Sequence, residues 1–342
     1  LLYLFLKNLF GKTPLALCGT SLFAFDFMHL TQTRIATIDT YAVFFTLAMY
    51  FFLWRFLSLP AGTPFRRCAP SLLLSGLMFG LGAACKWTVL YGGAGMAVLY
   101  AVNLWQKRRD WPGELTGPTF ASWAGKTVLF SVLAFVVLPL CVYVAAYLPY
   151  AQARGDTSLS NLLTIVWENQ KFMFTYHRGV DATHPYASKW WQWMLDLRPI
   201  LYYREHTAAG LKSAFAAFNN PVVSWLGLLC MGAVAIKAVR FRSGTALFLL
   251  VGYLAQLLPW LPISRPTFAY HYFPATLFLA LGIASLMNDL MERPQGRWRL
   301  PVYGVTGLNA GLYGLFYPVL IGIPIPAGFS TYILRWLPSW PL

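Results

Sequence analysis

The chain has 342 residues, of which 58% are hydrophobic, 17% aromatic and only 11% charged. Soluble domains carry about 25% charged residues. The mean hydropathy of +0.55 is spread over several apolar segments close to the ~20 residues that cross a bilayer. This composition excludes a soluble globular chain and predicts an all-α polytopic membrane protein. The excess of 26 Lys and Arg over 11 Asp and Glu does not indicate a nucleic-acid partner, because most basic residues cluster between apolar segments, as orientation signals do.

The hydropathy pattern predicts nine complete membrane crossings, near residues 14-30, 38-57, 70-85, 88-105, 126-149, 221-239, 244-262, 268-288 and 300-321. A single helix over residues 70-105 would be too long for a ~30 Å hydrocarbon core, so we expect two helices that turn between Gly82 and Lys86. The basic residues of the short loops concentrate on one side, which assigns that side to the cytosol. Residues 1-7 look like the end of a helix, so we expect an N-terminal truncation.

These crossings divide the chain into three predicted regions. Residues 1-149 form an N-terminal transmembrane region, 150-220 an external loop, and 221-342 a C-terminal four-helix transmembrane region. Within the loop, residues 158-174 predict an amphipathic helix that lies on the membrane. Its apolar face comprises Leu159, Leu162, Leu163, Val166 and Met173.

Four ionisable residues fall at the external ends of predicted spans. They are Arg34, Lys86, Arg265 and His271. Three of them have a structural alternative, since Arg34 could pair with Asp39 across a tight turn, Lys86 could extend to water, and His271 could be a satisfied structural group. Their arrival at one membrane face from separate turns predicts a cationic pocket at headgroup depth. Such a pocket suits a phosphate attached to a lipid, because Arg offers paired donors and Lys a point charge.

Glycine spacing offers a competing interpretation. Gly76 and Gly80, together with Gly92, Gly93 and Gly95, could suggest a nucleotide-binding loop. They lie inside predicted spans with no strand before them, so we expect close helix packing instead. The five cysteines show no metal-ligand spacing, and neither a metal nor a disulfide framework is predicted.

Five stretches of the sequence resemble the protein O-mannosyltransferase family, the dolichyl- or polyprenyl-phosphate-mannose-protein mannosyltransferases. They are FMHLTQTRIATID (27-39), CKWT (85-88), THPYASKWWQW (183-193), RPILYY (198-203) and RPTFAYHYFP (265-274). The resemblance implies a C-type glycosyltransferase fold with about eleven transmembrane helices, of which about nine would be complete here. It also implies transfer of mannose from polyprenyl-phosphate-mannose to Ser or Thr hydroxyls of translocated proteins, at the periplasmic face of a bacterial inner membrane.

The resemblance implies roles for particular residues. Arg34, Lys86 and Arg265, with His271, would bind the donor phosphate. The general base is expected in an external loop before this segment, which leaves Asp39 as a weak candidate and predicts that the segment alone is inactive. A substrate groove would be formed by His184, Tyr186, Trp190, Trp191, Trp193 and Arg198. The expected partners are the lipid-linked donor, secreted acceptor proteins near the translocon, and membrane lipids. No cofactor is expected.

Two alternatives remain at this stage. A related transferase could use another lipid-linked sugar, or a lipid or polysaccharide acceptor, within the same pocket. A lipid flippase or transporter would instead show paired repeats and polar groups at the bilayer midplane.

Overall fold

The computed structural model describes residues 1–112, 118–179, 183–206 and 210–342, and most of them are helical. The helices are α1 (Leu2–Phe10), α2 (Thr13–Ala24), α3 (Phe27–Arg34), α4 (Asp39–Leu57), α5 (Phe65–Cys85), α6 (Val89–Arg109), α7 (Phe120–Val132), α8 (Leu138–Ala145), α9 (Leu148–Ala153), α10 (Leu159–Gly179), α11 (Trp190–Met194), α12 (Gly227–Arg240), α13 (Gly244–Leu257), α14 (Phe273–Glu292), α15 (Arg299–Ile321) and α16 (Ala327–Phe329). Three strands accompany them, β1 (Ile200–His206), β2 (Leu211–Ala217) and β3 (Ile325–Pro326).

Several helices have the length and hydropathy of membrane spans. In the described part of the chain six qualify: Asp39–Leu57, Phe65–Cys85, Phe120–Ala153, Val222–Arg240, Ala269–Glu292 and Gly296–Ile321. Thr13–Ala24 and Gly244–Trp260 are shorter apolar helices. The chain is therefore a multi-pass membrane protein, whereas the predicted number of nine crossings stays a prediction.

The predicted span 14-30 was wrong as a continuous helix. α2 ends at Ala24, and α3 begins at Phe27. Asp26 stands between them with an extended backbone, and its carboxylate accepts a hydrogen bond from the backbone N–H of His29. A carboxylate in this N-cap position satisfies a free N–H of the first turn, so it starts a new helix instead of continuing the old one.

The predicted division of residues 70-105 into two helices is confirmed, although the turn lies at Lys86–Thr88 and not between Gly82 and Lys86. α5 ends at Cys85, Lys86 is extended, and α6 begins at Val89. The helix-packing interpretation of the glycines is confirmed as well. A Cβ on Gly76 would overlap the backbone carbonyl of Ala134, and one on Gly80 would lie 2.8 Å from Pro139 Cα.

The β-hairpin corrects the all-helical prediction. β1 and β2 pair antiparallel, from Ile200 opposite Ala217 to His206 opposite Lys212, and β3 adds to the other side of β2. The register shifts at Tyr202, which leaves that residue as a bulge. The hairpin packs on an apolar cluster drawn from α15 and the C-terminal segment, with Phe218, Phe316, Leu320 and Trp340 at its centre. Hydropathy did not predict it because β2 is rich in alanine and most of its packing partners, such as Phe316 and Trp340, are distant in the sequence.

The predicted amphipathic helix is present as α10. Leu162 and Ile165 pack against Ala151 at the end of the long apolar segment. Leu163 and Trp167 are exposed on an adjacent flank. One apolar flank of the helix thus packs against protein, and the other is exposed. Its position on the membrane stays a prediction.

The chain forms two compact units. The first unit comprises Leu1–Thr40 and Ala182–Leu342, and the second unit comprises Tyr41–Asp181. Arg34, Asp39, Arg265 and His271 belong to the first unit, and Lys86 belongs to the second. The predicted division into three consecutive regions remains a prediction.

Candidate functional site

Arg34 is the last residue of α3, and a buried carboxylate holds the start of that helix. Asp26 has no exposed surface. One of its oxygens accepts a hydrogen bond from the backbone N–H of Asn220 at 2.8 Å, and the other accepts from the N–H of His29 at 3.3 Å. Asn220 follows β2 and also donates to the carbonyl of Asn309 in α15 at 3.0 Å. Asp26 therefore joins α3 to the end of the hairpin.

A second buried carboxylate, Asp196, supports the same region. It accepts a hydrogen bond from the backbone N–H of Asn219 at 3.2 Å, and its own carbonyl accepts one from Trp340 Nε1 at 2.8 Å. Burial raises the pKa of Asp196 well above its usual range, and the nearby Asp26 carboxyl adds to the effect. Sequence reasoning missed both carboxylates. For Asp26, the available signal was an acidic residue between apolar segments, as in Phe25-Asp26-Phe27.

Removal of the Asp26 carboxyl should destabilise the protein. For Asp26→Ala we expect a loss of about 2 kcal/mol, because the variant loses an N-cap worth ~1 kcal/mol and a buried hydrogen bond worth about as much. Asp26→Asn keeps an acceptor oxygen and should lose less than half of that. Thermal unfolding of the purified protein in detergent measures both. Equal midpoints for wild type and Asp26→Ala would contradict the role assigned to Asp26.

The hairpin fixes the other end of α3. Gln32 Nε2 donates a hydrogen bond to the hydroxyl of Tyr202 at 2.8 Å. The guanidinium carbon of Arg34 lies 5.6 Å from the ring centroid of Phe215, which in turn lies 5.6 Å from the ring of Tyr202. This cation–π distance is within the ~6 Å range in which a ring attracts a cation. Arg34 is thus held by β2, a strand about 180 residues further along the chain.

Two tyrosines of the first unit are near charged residues of the predicted site. The charge of Asp39 acts on the hydroxyl groups of both Tyr202 and Tyr270. The hydroxyl of Tyr270 is also affected by Arg265 and by Tyr202. Burial raises the pKa of Tyr202, and Asp39 adds to this rise. In the first unit, Arg34 is thus linked to Tyr202 through the ring of Phe215, and the charges of Asp39 and Arg265 both act on Tyr270.

Neither guanidinium is neutralised inside the first unit. Within the described ranges, Arg34 and Arg265 form no ion pair with a carboxylate. Arg265 donates one hydrogen bond, from Nη1 to the carbonyl of Pro266 at 3.3 Å. Arg34 is exposed and Arg265 is half-buried. Their donors can therefore bind an anion.

The aromatic motif at 183-193 is attached to the motif at 265-274. Ser188 and Thr267 exchange hydrogen bonds, from Ser188 N to Thr267 O at 2.8 Å and from Thr267 Oγ1 to Ser188 O at 2.6 Å. Trp193 Nε1 donates to Ser188 Oγ at 2.8 Å, and His184 meets the ring of Phe268 edge to face at 4.9 Å. The two motifs thus form one wall of the first unit.

The other residues of the predicted substrate groove differ in their solvent exposure. Trp193 is buried, whereas Trp191 is 44% exposed and Trp190 and Tyr186 are half-buried. Arg198 donates from Nη2 to the carbonyl of Pro185 at 2.7 Å. Arg198 therefore braces the motif, and the ring of Trp191 remains open to a ligand.

His271 is enclosed by aromatic rings. Its ring stacks on Trp193 with centroids 5.8 Å apart, and its centroid lies 4.4 Å from those of Trp260 and Tyr270. Its Nδ1 lies 3.0 Å from the backbone nitrogen of Phe268. These contacts favour the structural alternative for His271 over a contact with phosphate.

Lys86 is positioned inside the second unit. The neighbouring Trp87 donates from Nε1 to the hydroxyl of Tyr143 at 2.9 Å. That hydroxyl donates to Gln170 Oε1 at 2.9 Å, and Gln170 Nε2 donates to Tyr147 at 3.1 Å. α8 and α10 thus hold the turn that carries Lys86.

Comparison with known proteins decides the family. A family model described as the C-terminal four TMM region of protein-O-mannosyltransferase matches residues 162–340, and one described as dolichyl-phosphate-mannose-protein mannosyltransferase matches residues 1–153. This chain belongs to the protein O-mannosyltransferase family. The resemblance of its five motifs is thereby confirmed.

Members of the family in actinobacteria are similar to the chain over most of its length. A polyprenol-phosphate-mannose-protein mannosyltransferase of Mycobacterium tuberculosis is 30% identical over 78% of the chain, and its counterpart in Corynebacterium glutamicum is 23% identical over 98%. The chain spans 56% of the mycobacterial protein and 73% of the corynebacterial one.

A solved structure shows the family fold. The Saccharomyces cerevisiae protein O-mannosyltransferase Pmt1-Pmt2 complex bound to the sugar donor contains a chain that matches with a TM-score of 0.85 and 12% identity. The match covers 100% of this chain and 78% of the yeast chain. The helical arrangement described above is therefore that of a protein O-mannosyltransferase.

Proposed function

We propose that the whole protein transfers mannose from polyprenyl-phosphate-mannose to Ser or Thr hydroxyls of exported proteins, at the outer face of a bacterial inner membrane. One observation carries the proposal: Arg34 and Arg265 both lie in the first unit, and within the described ranges neither has a carboxylate partner. The mycobacterial and corynebacterial relatives, which are polyprenol-phosphate-mannose-protein mannosyltransferases, support it. No cofactor beyond the lipid-linked donor is part of the proposal.

The proposed reaction forms a bond between the acceptor oxygen and C1 of mannose and breaks the bond from C1 to the phosphate oxygen. The acceptor proton goes to a base, and negative charge returns to the departing polyprenyl phosphate. Arg34 and Arg265 would stabilise that charge, because preorganised donors act most strongly where charge develops. Lys86 would add a point charge, whereas His271 keeps a structural role.

The remaining proposed roles concern the acceptor side. Asp39 lies among the groups around Tyr202 and Tyr270, and we assign it to orienting them instead of serving as base. The base is proposed to lie in a part of the whole protein outside these residues. The open ring of Trp191 beside the buried Trp193 would line the acceptor groove. Delivery of acceptors near the translocon is part of the same proposal.

The test is a transfer assay with the full-length protein in membrane vesicles. Radiolabelled polyprenyl-phosphate-mannose and a Ser/Thr-containing peptide should yield a mannosylated peptide, and the same peptide with alanine at those positions should stay unlabelled. Polyprenyl-phosphate-arabinose serves as the competing donor. Transfer of arabinose with no transfer of mannose would favour a related lipid-linked-sugar transferase. Movement of the lipid across liposomes without any transfer would favour a flippase.

A further inference from the structure

A second group of basic residues lies at the far end of the hairpin. In the register of β1 and β2, Arg204 is opposite Ala214 and His206 is opposite Lys212. Because side chains alternate between the two faces of a strand, Arg204, His206 and Lys212 share the face of Ala214. Ala214 is part of the buried apolar cluster under the sheet. The apolar face of the hairpin therefore ends in three basic residues.

The carboxylate of the hairpin points to the other face. Glu205 is opposite Ser213, and its carboxylate accepts a hydrogen bond from the hydroxyl of Tyr203. Tyr203 is opposite Phe215, so all four residues lie on the face away from Lys212. The sheet thus separates Glu205 from the basic side chains.

Arg335 brings a further positive charge to Lys212. It follows Leu334, which is buried in the same apolar cluster. The charges of Arg204 and Arg335 both act on Lys212, and together with burial they lower the pKa of its ammonium group. Only 7% of Lys212 is exposed.

In the described part of the chain, no carboxylate pairs with these charges. Within residues 183–206 and 210–342, the ammonium group of Lys212 forms neither a hydrogen bond nor an ion pair, and Arg204 and Arg335 form no ion pair. Burial of an uncompensated charge costs several kcal/mol. The buried Lys212, near the exposed Arg204 and Arg335 and without a counter-ion in these residues, therefore indicates a site that an anion completes.

The position of Lys212 identifies the source of the anion. The neighbouring Ser213 donates from Oγ to the carbonyl of Gly322 at 2.6 Å, and Gly322 ends α15. α15 lies in one of the segments long and apolar enough to span a membrane. Lys212 is thus one residue from a contact with the end of such a helix, and we infer from this that the basic group lies near lipid headgroups. Basic pockets at this depth bind anionic headgroups.

We propose that Arg204, Lys212 and Arg335 bind the phosphate of an anionic membrane lipid. Two guanidinium groups supply paired donors to the phosphate oxygens, and Lys212 supplies a point charge. The site differs from that of the sugar donor, because Arg34 lies over Phe215, on the opposite face of β2 from Lys212. The proposal does not depend on the proposed mannosyl transfer.

The test compares the full-length protein in phosphatidylcholine vesicles with and without phosphatidylglycerol, by thermal unfolding. Phosphatidylglycerol should raise the midpoint of the wild type by about 5 °C, as expected for a site close to saturation. Lys212→Met should show less than half of that rise. In pure phosphatidylcholine, Lys212→Met should unfold at the same or a higher temperature than the wild type, because one of three repelling charges is gone.

Arg178→Gln is the matched control, since it removes one positive charge from an exposed position at the end of α10. It should keep the full response to phosphatidylglycerol. An equal response of Lys212→Met and wild type would overturn the proposal, as would an equal loss in Arg178→Gln. A full response to inorganic phosphate with none to phosphatidylglycerol would overturn the assignment to a lipid. Should Lys212→Met fail to fold, Arg204→Gln is measured in its place.

Discussion

Arg34→Ala should lower the rate of mannosyl transfer by at least ~100-fold. Loss of one preorganised donor to a developing negative charge typically costs on the order of 10²–10³ in rate. Arg34 is exposed to a ligand, has no carboxylate partner within the described ranges, and is held over Phe215 at 5.6 Å. The measurement is the initial rate of peptide mannosylation by the full-length protein in vesicles, at saturating donor.

Two variants make this experiment specific. Arg34→Lys keeps a positive charge but loses the paired donors, so its rate should lie between those of wild type and Arg34→Ala. Phe215→Leu keeps the strand apolar but removes the ring, and should lower the rate by less than Arg34→Ala. Wild-type rates in Arg34→Ala would exclude the phosphate role. Identical rates in Arg34→Lys and wild type would show that paired donation is unnecessary.

Gly76→Leu should destabilise the protein by more than about 3 kcal/mol, at the upper end of the usual cost of overpacking. A side chain at Gly76 would overlap the backbone carbonyl of Ala134, which cannot move without displacing the π-helical turn Leu133–Val137. For a unit of this size the change corresponds to a midpoint lower by roughly 6–12 °C. Thermal unfolding monitored by size-exclusion chromatography measures it.

Gly125→Leu is the control for this substitution, because a Cβ on Gly125 has no neighbouring atom within 4 Å. The two variants make the same chemical change in helices that pack against each other. The unfolding midpoint of Gly125→Leu should lie within about a degree or two of that of the wild type, because surface substitutions usually change the free energy of unfolding very little. A similar midpoint for both variants would mean that α5 does not depend on close approach at Gly76.

The sequence predicted the helices that hydropathy alone determines. The division of residues 70-105 into two helices was predictable, because a single helix of that length would exceed the thickness of a bilayer. The helix start at Asp26 was missed because a single acidic residue barely changes the hydropathy of a window. Its effect depends on hydrogen bonds to Asn220 and His29 that only the fold supplies.

The candidate site was predicted in part. Charge placement and family motifs indicated Arg34 and Arg265, and the structure places both in the first unit without a carboxylate partner in the described ranges, while their binding of phosphate stays a prediction. The contact of Arg34 with Phe215 could not be predicted, because it joins residues about 180 positions apart through a hairpin with no clear alternation. The enclosure of His271 by Trp193 and Trp260 was hidden for the same reason.

The hydrogen bonds of Asn309 join segments that are synthesised at different times. Its Nδ2 lies 3.3 Å from the carbonyl of Leu22, which precedes it by 287 residues. A ribosome that adds roughly 5–20 residues per second needs on the order of tens of seconds to make the intervening chain. During that interval the nascent segment bearing Arg34 lacks its final neighbours, whereas the continuous stretch Tyr41–Asp181 can already fold. Maturation of the chain is therefore ordered in time, and the segment bearing Arg34 acquires its final neighbours only after Tyr41–Asp181 has been made.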